Sequence, residues 1–384
     1  MKKSTTVGIG ILGGGGILGA HAPALRLACG QGLGEVKVVA ETSPARDDAI
    51  RDLLGADIRI VRDYHEVLSM PEVDAVVILL PHQLHMPAAV GAAQAGKHIL
   101  IEKVMARNIW ECDRMNDACE KAGVTLTVCH DRRYHSEWMA FKQIVDTGML
   151  GDIFSWKLEH NQNVAIPDTS WAYWKDGIGG GSIMSCLTHQ IDALRWMGGE
   201  VDSVACMSMA RPERMQGEFL GSVLARMRSG ALAQLSINWW TRSNYIKNGL
   251  WYELIHACGT KGEAYYMSGK GTWLLLHERN EAAAKAYGDA VFSEFVKVPD
   301  GGWPGHVRCT DQWLRMLRGE PADVTTTGRD SRKTVEVAEA AYLAVERDAT
   351  VSLPIKPQPW KDVGMPMKTG GFFEGLDVQK GIKS

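Results

Sequence analysis

Net charge is nearly absent from this 384-residue chain: 42 Lys and Arg stand against 45 Asp and Glu, a balance of −3. No basic face of the kind that nucleic acid requires is visible in the sequence. Long apolar runs are also missing, and none approaches the roughly 20 residues of a membrane-crossing helix. The eight cysteines (Cys29, Cys112, Cys119, Cys129, Cys186, Cys206, Cys258, Cys309) include no Cys-x-x-Cys pair. Scattered in this way they suit reduced, mostly buried thiols and a cytoplasmic protein. No internal repeat and no low-complexity tract is present. Nucleic acid and membrane are therefore not expected partners.

Apolar residues make up 45% of the sequence, enough for large cores in two domains of ordinary size. The most informative stretch is Val7-Gly8-Ile9-Gly10-Ile11-Leu12-Gly13-Gly14-Gly15-Gly16-Ile17-Leu18-Gly19. An apolar run enters a glycine block and continues as a helix. A chain that turns tightly out of a buried strand offers backbone amides to a pyrophosphate. Two registers are open, Gly13-x-Gly15 and Gly14-x-Gly16-x-x-Gly19. The first is preferred, because Ile9, Ile11 and Leu12 read as the strand end. Lys2 and Lys3 before an apolar stretch, with Ala20-His21-Ala22 after it, mimic a secretion signal. Five glycines between Gly10 and Gly16 make a poor apolar helix, so a nucleotide turn explains the same residues better.

Strand signals over residues 7–12, 36–40, 58–61, 75–80, 98–101 and 125–128 alternate with helical ones over 20–29, 45–54, 87–95 and 110–122. This alternation, from Thr6 to about His130, predicts a parallel sheet with helices on both faces, with ligands at the carboxyl ends of the strands. Glu41 follows the second strand at the distance expected for a carboxylate that accepts from the adenosine ribose hydroxyls. It favours NAD over NADP, although Thr42, Ser43 and Arg46 leave room for the latter. Pro81-His82-Gln83-Leu84-His85 follows the apolar fourth strand. Two histidines without a third ligand do not make a metal site, so no metal is expected and one of them is assigned to the cofactor. Lys103, after Ile101-Glu102, is costly to bury at the mouth of a sheet unless it has a task.

These residues resemble the glucose–fructose oxidoreductase / inositol dehydrogenase / MocA (Gfo/Idh/MocA) family. The resemblance rests on Gly13-x-Gly15-Gly16-Ile17, on Val76-Val77-Ile78-Leu79-Leu80-Pro81-His82-x-x-His85, on Ala95-Gly96-Lys97-His98-Ile99-Leu100-Ile101-Glu102-Lys103 and on Ala122-Gly123-Val124. Gly179-Gly180-Gly181 and His189-Gln190-Ile191-Asp192 extend it into the second half, and it runs to Pro354. It implies an α/β chain: an N-terminal Rossmann dinucleotide-binding domain over 1–130, then an α+β substrate and oligomerisation domain over 131–355 with a large open, mostly antiparallel sheet, then a tail over 356–384. It further implies Lys103 as catalytic lysine and His189 as acid/base. Gly13, Gly15, Gly16, Ile17, Glu41, Leu80, Pro81, His85, Glu102 and Lys103 would line the cofactor. Three departures stand out: Val104 replaces the usual Pro, Leu18 the third glycine, and Ser185 the usual Asp four residues before the histidine, with Leu187 where Gly is common.

In the second half, strands are expected over 152–159, 201–210, 222–227, 231–238, 252–257, 264–267 and 272–276, and a helix over 183–197. That helix has an apolar stripe (Ile183, Leu187, Ile191, Leu194) and a polar face with Ser185, His189 and Asp192. Asp192 either orients the imidazole or forms a salt bridge with an arginine. The glycine run before the helix is read as allowing close approach to the cofactor. Twelve of 13 Trp lie after residue 130, and aromatic faces pack on sugar rings as well as in cores. Ser185, Arg133, Tyr134, His160, Asn163 and Trp174 are the candidate substrate contacts, with Arg132 and Asn161 beside them. The expected function is NAD-dependent oxidation of a secondary alcohol of a sugar, glycoside or cyclitol. Neutral His189 would take the hydroxyl proton while Lys103 stabilises the alkoxide, in a homodimer or homotetramer. The alternatives are a glycoside-cleaving enzyme working through a transient 3-keto sugar, and a nucleotide-binding sensor without turnover.

Overall fold

The computed structural model describes residues 6–241 and 251–360; Lys2, Lys3 and most of the expected tail lie outside them. The chain divides into two compact units. Among the described residues the first comprises 6–131, 306–332 and 358–360, and the second 132–241, 251–305 and 333–357. The second unit is therefore not the contiguous 131–355 stretch expected. From His306 on, the helix Gly305–Leu317 belongs with the first unit, and its wholly buried Leu314 lies against Gly34. Thr326 and Thr327 then return along a strand edge, where the Thr326 carbonyl accepts from Val128 at 2.8 Å.

In the first unit, β1 (Val7–Leu12), β2 (Gly34–Ala40), β3 (Arg59–Val61), β4 (Ala75–Ile78), β5 (His98–Glu102) and β6 (Leu126–Cys129) form one parallel sheet in the order β3-β2-β1-β4-β5-β6. Helices such as Leu18–Gly30 and Ile109–Ala122 connect them. β1 and β4 are buried along their whole length, as a sheet covered on both faces demands. A short helix, Tyr64–Ser69, was not expected; the Asp63 side chain caps it by accepting from His65 N–H.

In the second unit, nine strands form an open sheet: β7 (Ile153–Gln162), β8 (Val201–Arg211), β9 (Met215–Met227), β10 (Leu232–Asn238), β11 (Trp251–Gly259), β12 (Gly262–Met267), β13 (Gly271–Leu276), β14 (Val296–Lys297) and β15 (Val351–Ser352). The order is β14-β13-β12-β11-β7-β10-β9-β8-β15, and only β7 with β10 is parallel. Burial alternates along β9, β10 and β12, so one face is packed and the other open. The helix Ser136–Asp146, also unexpected, lays Trp138 and Phe141 on the packed face against Tyr266 and Trp156. No helix among the described residues is long and apolar enough to cross a membrane.

Candidate active site

Strand order reverses between β1 and β4, where open α/β sheets bind their ligands. β1 ends at Gly13, whose φ is 103°. A Cβ there would lie 2.7 Å from the Leu79 carbonyl oxygen and 3.2 Å from Leu80 Cδ2, so only glycine makes the turn. Gly13 is the first glycine of the Gly13-x-Gly15 register. Around Gly15 and Gly16 nothing lies within 4 Å of a would-be Cβ, and Ile17 is 40% exposed. Their open backbone leads into the N-terminus of helix Leu18–Gly30, the positive end of its dipole. A pyrophosphate fits that cradle.

The Glu41 carboxylate is fixed beside the turn. Its Oε2 accepts from Gly14 N–H at 2.9 Å and its Oε1 from Ser43 N–H at 2.8 Å. Each oxygen keeps a second lone pair for a ribose hydroxyl. Arg46 Nε donates to the Gly14 carbonyl at 3.1 Å, so one of the residues that left room for NADP is engaged on the turn itself.

Two expected cofactor contacts have another task. His85 is fully buried, with Nε2 2.9 Å from the Leu80 carbonyl and Nδ1 2.9 Å from that of Val104. It ties the loop after β4, which includes half-buried Pro81, to the loop after β5. Burial pushes its pKa down, against the pull of those carbonyls. Glu102 is buried at the end of β5. Its Oε1 lies 2.7 Å from His21 Nε2 and 3.6 Å from His306 Nε2, while Oε2 accepts from Lys103 N–H at 3.0 Å. Burial raises the carboxyl pKa, but the bonds from His21 and His306 hold it well below the usual range. Both side chains therefore bond to their own unit and position Lys103 between them. Lys103 is half-buried, and its peptide bond to Val104 is cis.

In the second unit the expected helix begins as one wide π turn, Ile183–Leu187, and continues as an α-helix, Thr188–Gly198. Ser185 lies within the π turn, half-buried, and His189 follows on the first α turn, 6% exposed. Such insertions recur at functional sites. The glycine run before it approaches the chain itself. A Cβ on Gly180 would sit 2.3 Å from the Tyr342 hydroxyl, and one on Gly181 2.3 Å from Glu218 Oε2. The Tyr342 hydroxyl accepts from Gly181 and Met184 amides and donates to Glu218 Oε1 at 2.9 Å.

The ring of His189 lies parallel to that of His160, centroids 6.2 Å apart. His160 Nδ1 is 3.3 Å from Glu253 Oε1, which also receives Arg132 Nε and Gln190 Nε2, each at 3.2 Å. Burial raises the Glu253 carboxyl, but the charges of Arg132 and His160 overcome it and keep the group ionised. A buried carboxylate is thus present near His189 although Ser185 supplies none. Glu253 was missed in the sequence. The signal was its position on β11 in phase with buried Ile255 and Ala257.

Other expected substrate contacts separate. Arg133, expected at the substrate, instead grips Asp192 with Nε–Oδ2 and Nη2–Oδ1 both at 2.7 Å, and both residues are buried. Thr334 adds a bond to Asp192 at 2.9 Å. The arginine pair, one of the two readings of Asp192, is thus present. Tyr134 is buried. Asn163 is exposed and accepts from Arg214, whose guanidinium lies 3.9 Å over the Trp240 ring. Trp174 is half-buried, its indole N–H on the Asp168 carbonyl at 3.0 Å.

Two family models match. One, described as an oxidoreductase family with an NAD-binding Rossmann fold, covers residues 7–130; the other, a GFO/IDH/MocA C-terminal domain, covers 138–265. An NADP-dependent scyllo-inositol 2-dehydrogenase of Bacillus subtilis is 27% identical over 56% of the chain, and the chain spans only 58% of that enzyme's length. A myo-inositol 2-dehydrogenase of Thermotoga maritima is 25% identical over 86% of the chain and 99% of its own length. The WlbA dehydrogenase of Bordetella pertussis, solved with NADH and UDP-GlcNAcA, shares the fold at a TM-score of 0.77 and 24% identity, covering 92% of this chain and 99% of its own. With both of its domain models matched in order and the dinucleotide turn built as that fold requires, the chain belongs to the Gfo/Idh/MocA oxidoreductase family.

Proposed function

We propose that this protein oxidises a secondary alcohol of a sugar, glycoside or cyclitol to a ketone, reversibly and with NAD. The observation that carries the reading is Lys103, held at the carboxyl end of β5 in a dinucleotide fold by the bonds of Glu102 and His85. Bound across Gly13, Gly15, Gly16 and Ile17, NAD supplies the two-electron acceptor. Glu41 favours NAD over NADP, since a carboxylate fixed beside the turn repels an added ribose phosphate. His189 accepts the hydroxyl proton; an imidazole titrates near working pH and can return it in the reverse direction. Lys103 stabilises the charge that develops on the substrate oxygen. Glu253, Arg132 and His160 form the polar support behind His189. Exposed Trp240 and half-buried Trp174 suit the C–H face of a polyhydroxylated substrate.

A homodimer or homotetramer is part of the proposal. Met207, Leu224 and Leu232 are 81%, 60% and 54% exposed on the open face of the sheet. The register places them on one side of β8, β9 and β10. Exposed apolar side chains grouped on one sheet face suit association.

A panel of sugars, cyclitols and aryl glycosides with NAD+ tests the reading. Accumulating NADH together with a ketone product is expected. Glycosidic cleavage with recycled NAD would assign the transient-oxidation reading instead, and tight NAD binding without turnover on any substrate would assign the sensor.

A further inference from the structure

Three strands at one end of the second unit's sheet carry a polar cluster that the proposed reaction does not use. On β11, His256 and Cys258 are two residues apart and share a face. Cys258 stands directly opposite Glu263 of β12. Ile255 and Ala257, which alternate with them, are buried, so the cluster lies on the open side. His277, just after β13, reaches the same carboxylate.

The three atoms form one triangle. His256 Nε2 is 3.1 Å from Glu263 Oε2, and Cys258 Sγ is 3.5 Å from that nitrogen and 3.8 Å from that oxygen. Tetrahedral zinc with ligand bonds of about 2.0–2.3 Å spaces its ligand atoms roughly 3.3–3.6 Å apart. The triangle fits one face of that tetrahedron after shifts of a few tenths of an ångström. His256 and Cys258 are half-buried, as is Glu263, and the open sheet face leaves water free to take the fourth position. On the other side, His277 Nε2 lies 3.5 Å from Glu263 Oε1, where it can hold the carboxylate in place. The donor set selects the ion. Thiolate and imidazole suit zinc and its transition-metal neighbours, whereas calcium and magnesium take oxygens.

We propose that His256, Cys258 and Glu263 bind a zinc-class divalent ion, with His277 orienting Glu263, so that metal clamps β11 to β12. A second cluster, His21, Glu102, Cys129 and His306, is also compact. Its closest pair, His21 and Glu102 at 2.7 Å, is a hydrogen bond too short for two ligands of one ion, and it already supports Lys103.

The experiment uses the full chain without a histidine tag, stripped with chelator and titrated with Zn2+ and, in parallel, Co2+. One equivalent should bind, and cobalt should give a thiolate-to-metal charge-transfer band with the intense visible bands of tetrahedral coordination. Cys258→Ser should remove the charge-transfer band and Cys129→Ser should keep it. His277→Ala should keep the band while weakening affinity by about 10–100-fold. Circular dichroism on each variant confirms that the fold is retained. Absence of the band in the parent protein, its survival in Cys258→Ser, or its loss in Cys129→Ser would each overturn the proposal.

Discussion

Replacing Glu218 with Gln should change how the protein's stability depends on pH. The Glu218 carboxyl is buried, and its Oε1 accepts from Ile183 N–H at 2.8 Å and from the Tyr342 hydroxyl at 2.9 Å. Burial outweighs these bonds and one from its own backbone N–H, and pushes its pKa from 4.5 up to about 7. Between those values the folded chain holds a proton that the unfolded chain has released. The stability this group contributes is therefore complete below pH 4.5 and is lost as pH rises through about 7. At about 1.4 kcal/mol per pH unit, the window amounts to roughly 3 kcal/mol. Glutamine keeps an acceptor oxygen for the same two donors and cannot ionise. Relative to the parent, Glu218→Gln should gain up to about 3 kcal/mol between roughly pH 5 and pH 8. Urea unfolding at stepped pH, followed by tryptophan fluorescence, measures the difference between the two proteins and cancels the titrations they share. A difference that stays constant with pH, or that moves against the variant as pH rises, would refute the reasoning.

Three further outcomes follow from the same geometry. Arg133→Met should cost about 3–5 kcal/mol in urea unfolding, because it leaves the buried Asp192 carboxylate without its bidentate partner; Arg133→Met with Asp192→Leu should recover most of that. Gly13→Ala should abolish NAD binding by calorimetry, since its Cβ would sit 2.7 Å from the Leu79 carbonyl at a positive φ. Glu41→Ala should weaken NAD by about tenfold or more, the loss of a charge-assisted hydrogen bond of about 1.5–3 kcal/mol. The same variant should narrow the preference for NAD over NADP.

The first unit was readable because each of its signals is local. The apolar run of β4 followed by Pro81, the glycine block after Leu12 and Glu41 after β2 all mark strand ends by themselves, and parallel-sheet topology then brings them to one edge. What was misread depends on partners distant in sequence. Arg133 and Asp192 are 59 residues apart, and nothing near either residue shows that they pair. Gly180 and Gly181 announce a close approach, but the group that approaches is Tyr342, from a helix about 160 residues later. His85 looked like a ligand contact because its burial and its two carbonyl neighbours are tertiary facts. The return of Trp313 and Leu314 to the first unit is likewise written only as an amphipathic helix, which does not name the surface it will cover. Of the residues missed, Glu253 had a legible signal: a charge in the buried phase of a strand.

The most direct test of the account is turnover and NAD binding in Lys103→Met, measured together on the best substrate found. NAD affinity should stay close to that of the parent, while the rate of NADH formation falls by about 10²–10⁴-fold, the usual worth of a positioned acid–base or charge-stabilising group. Parent-like turnover in that variant would contradict the account.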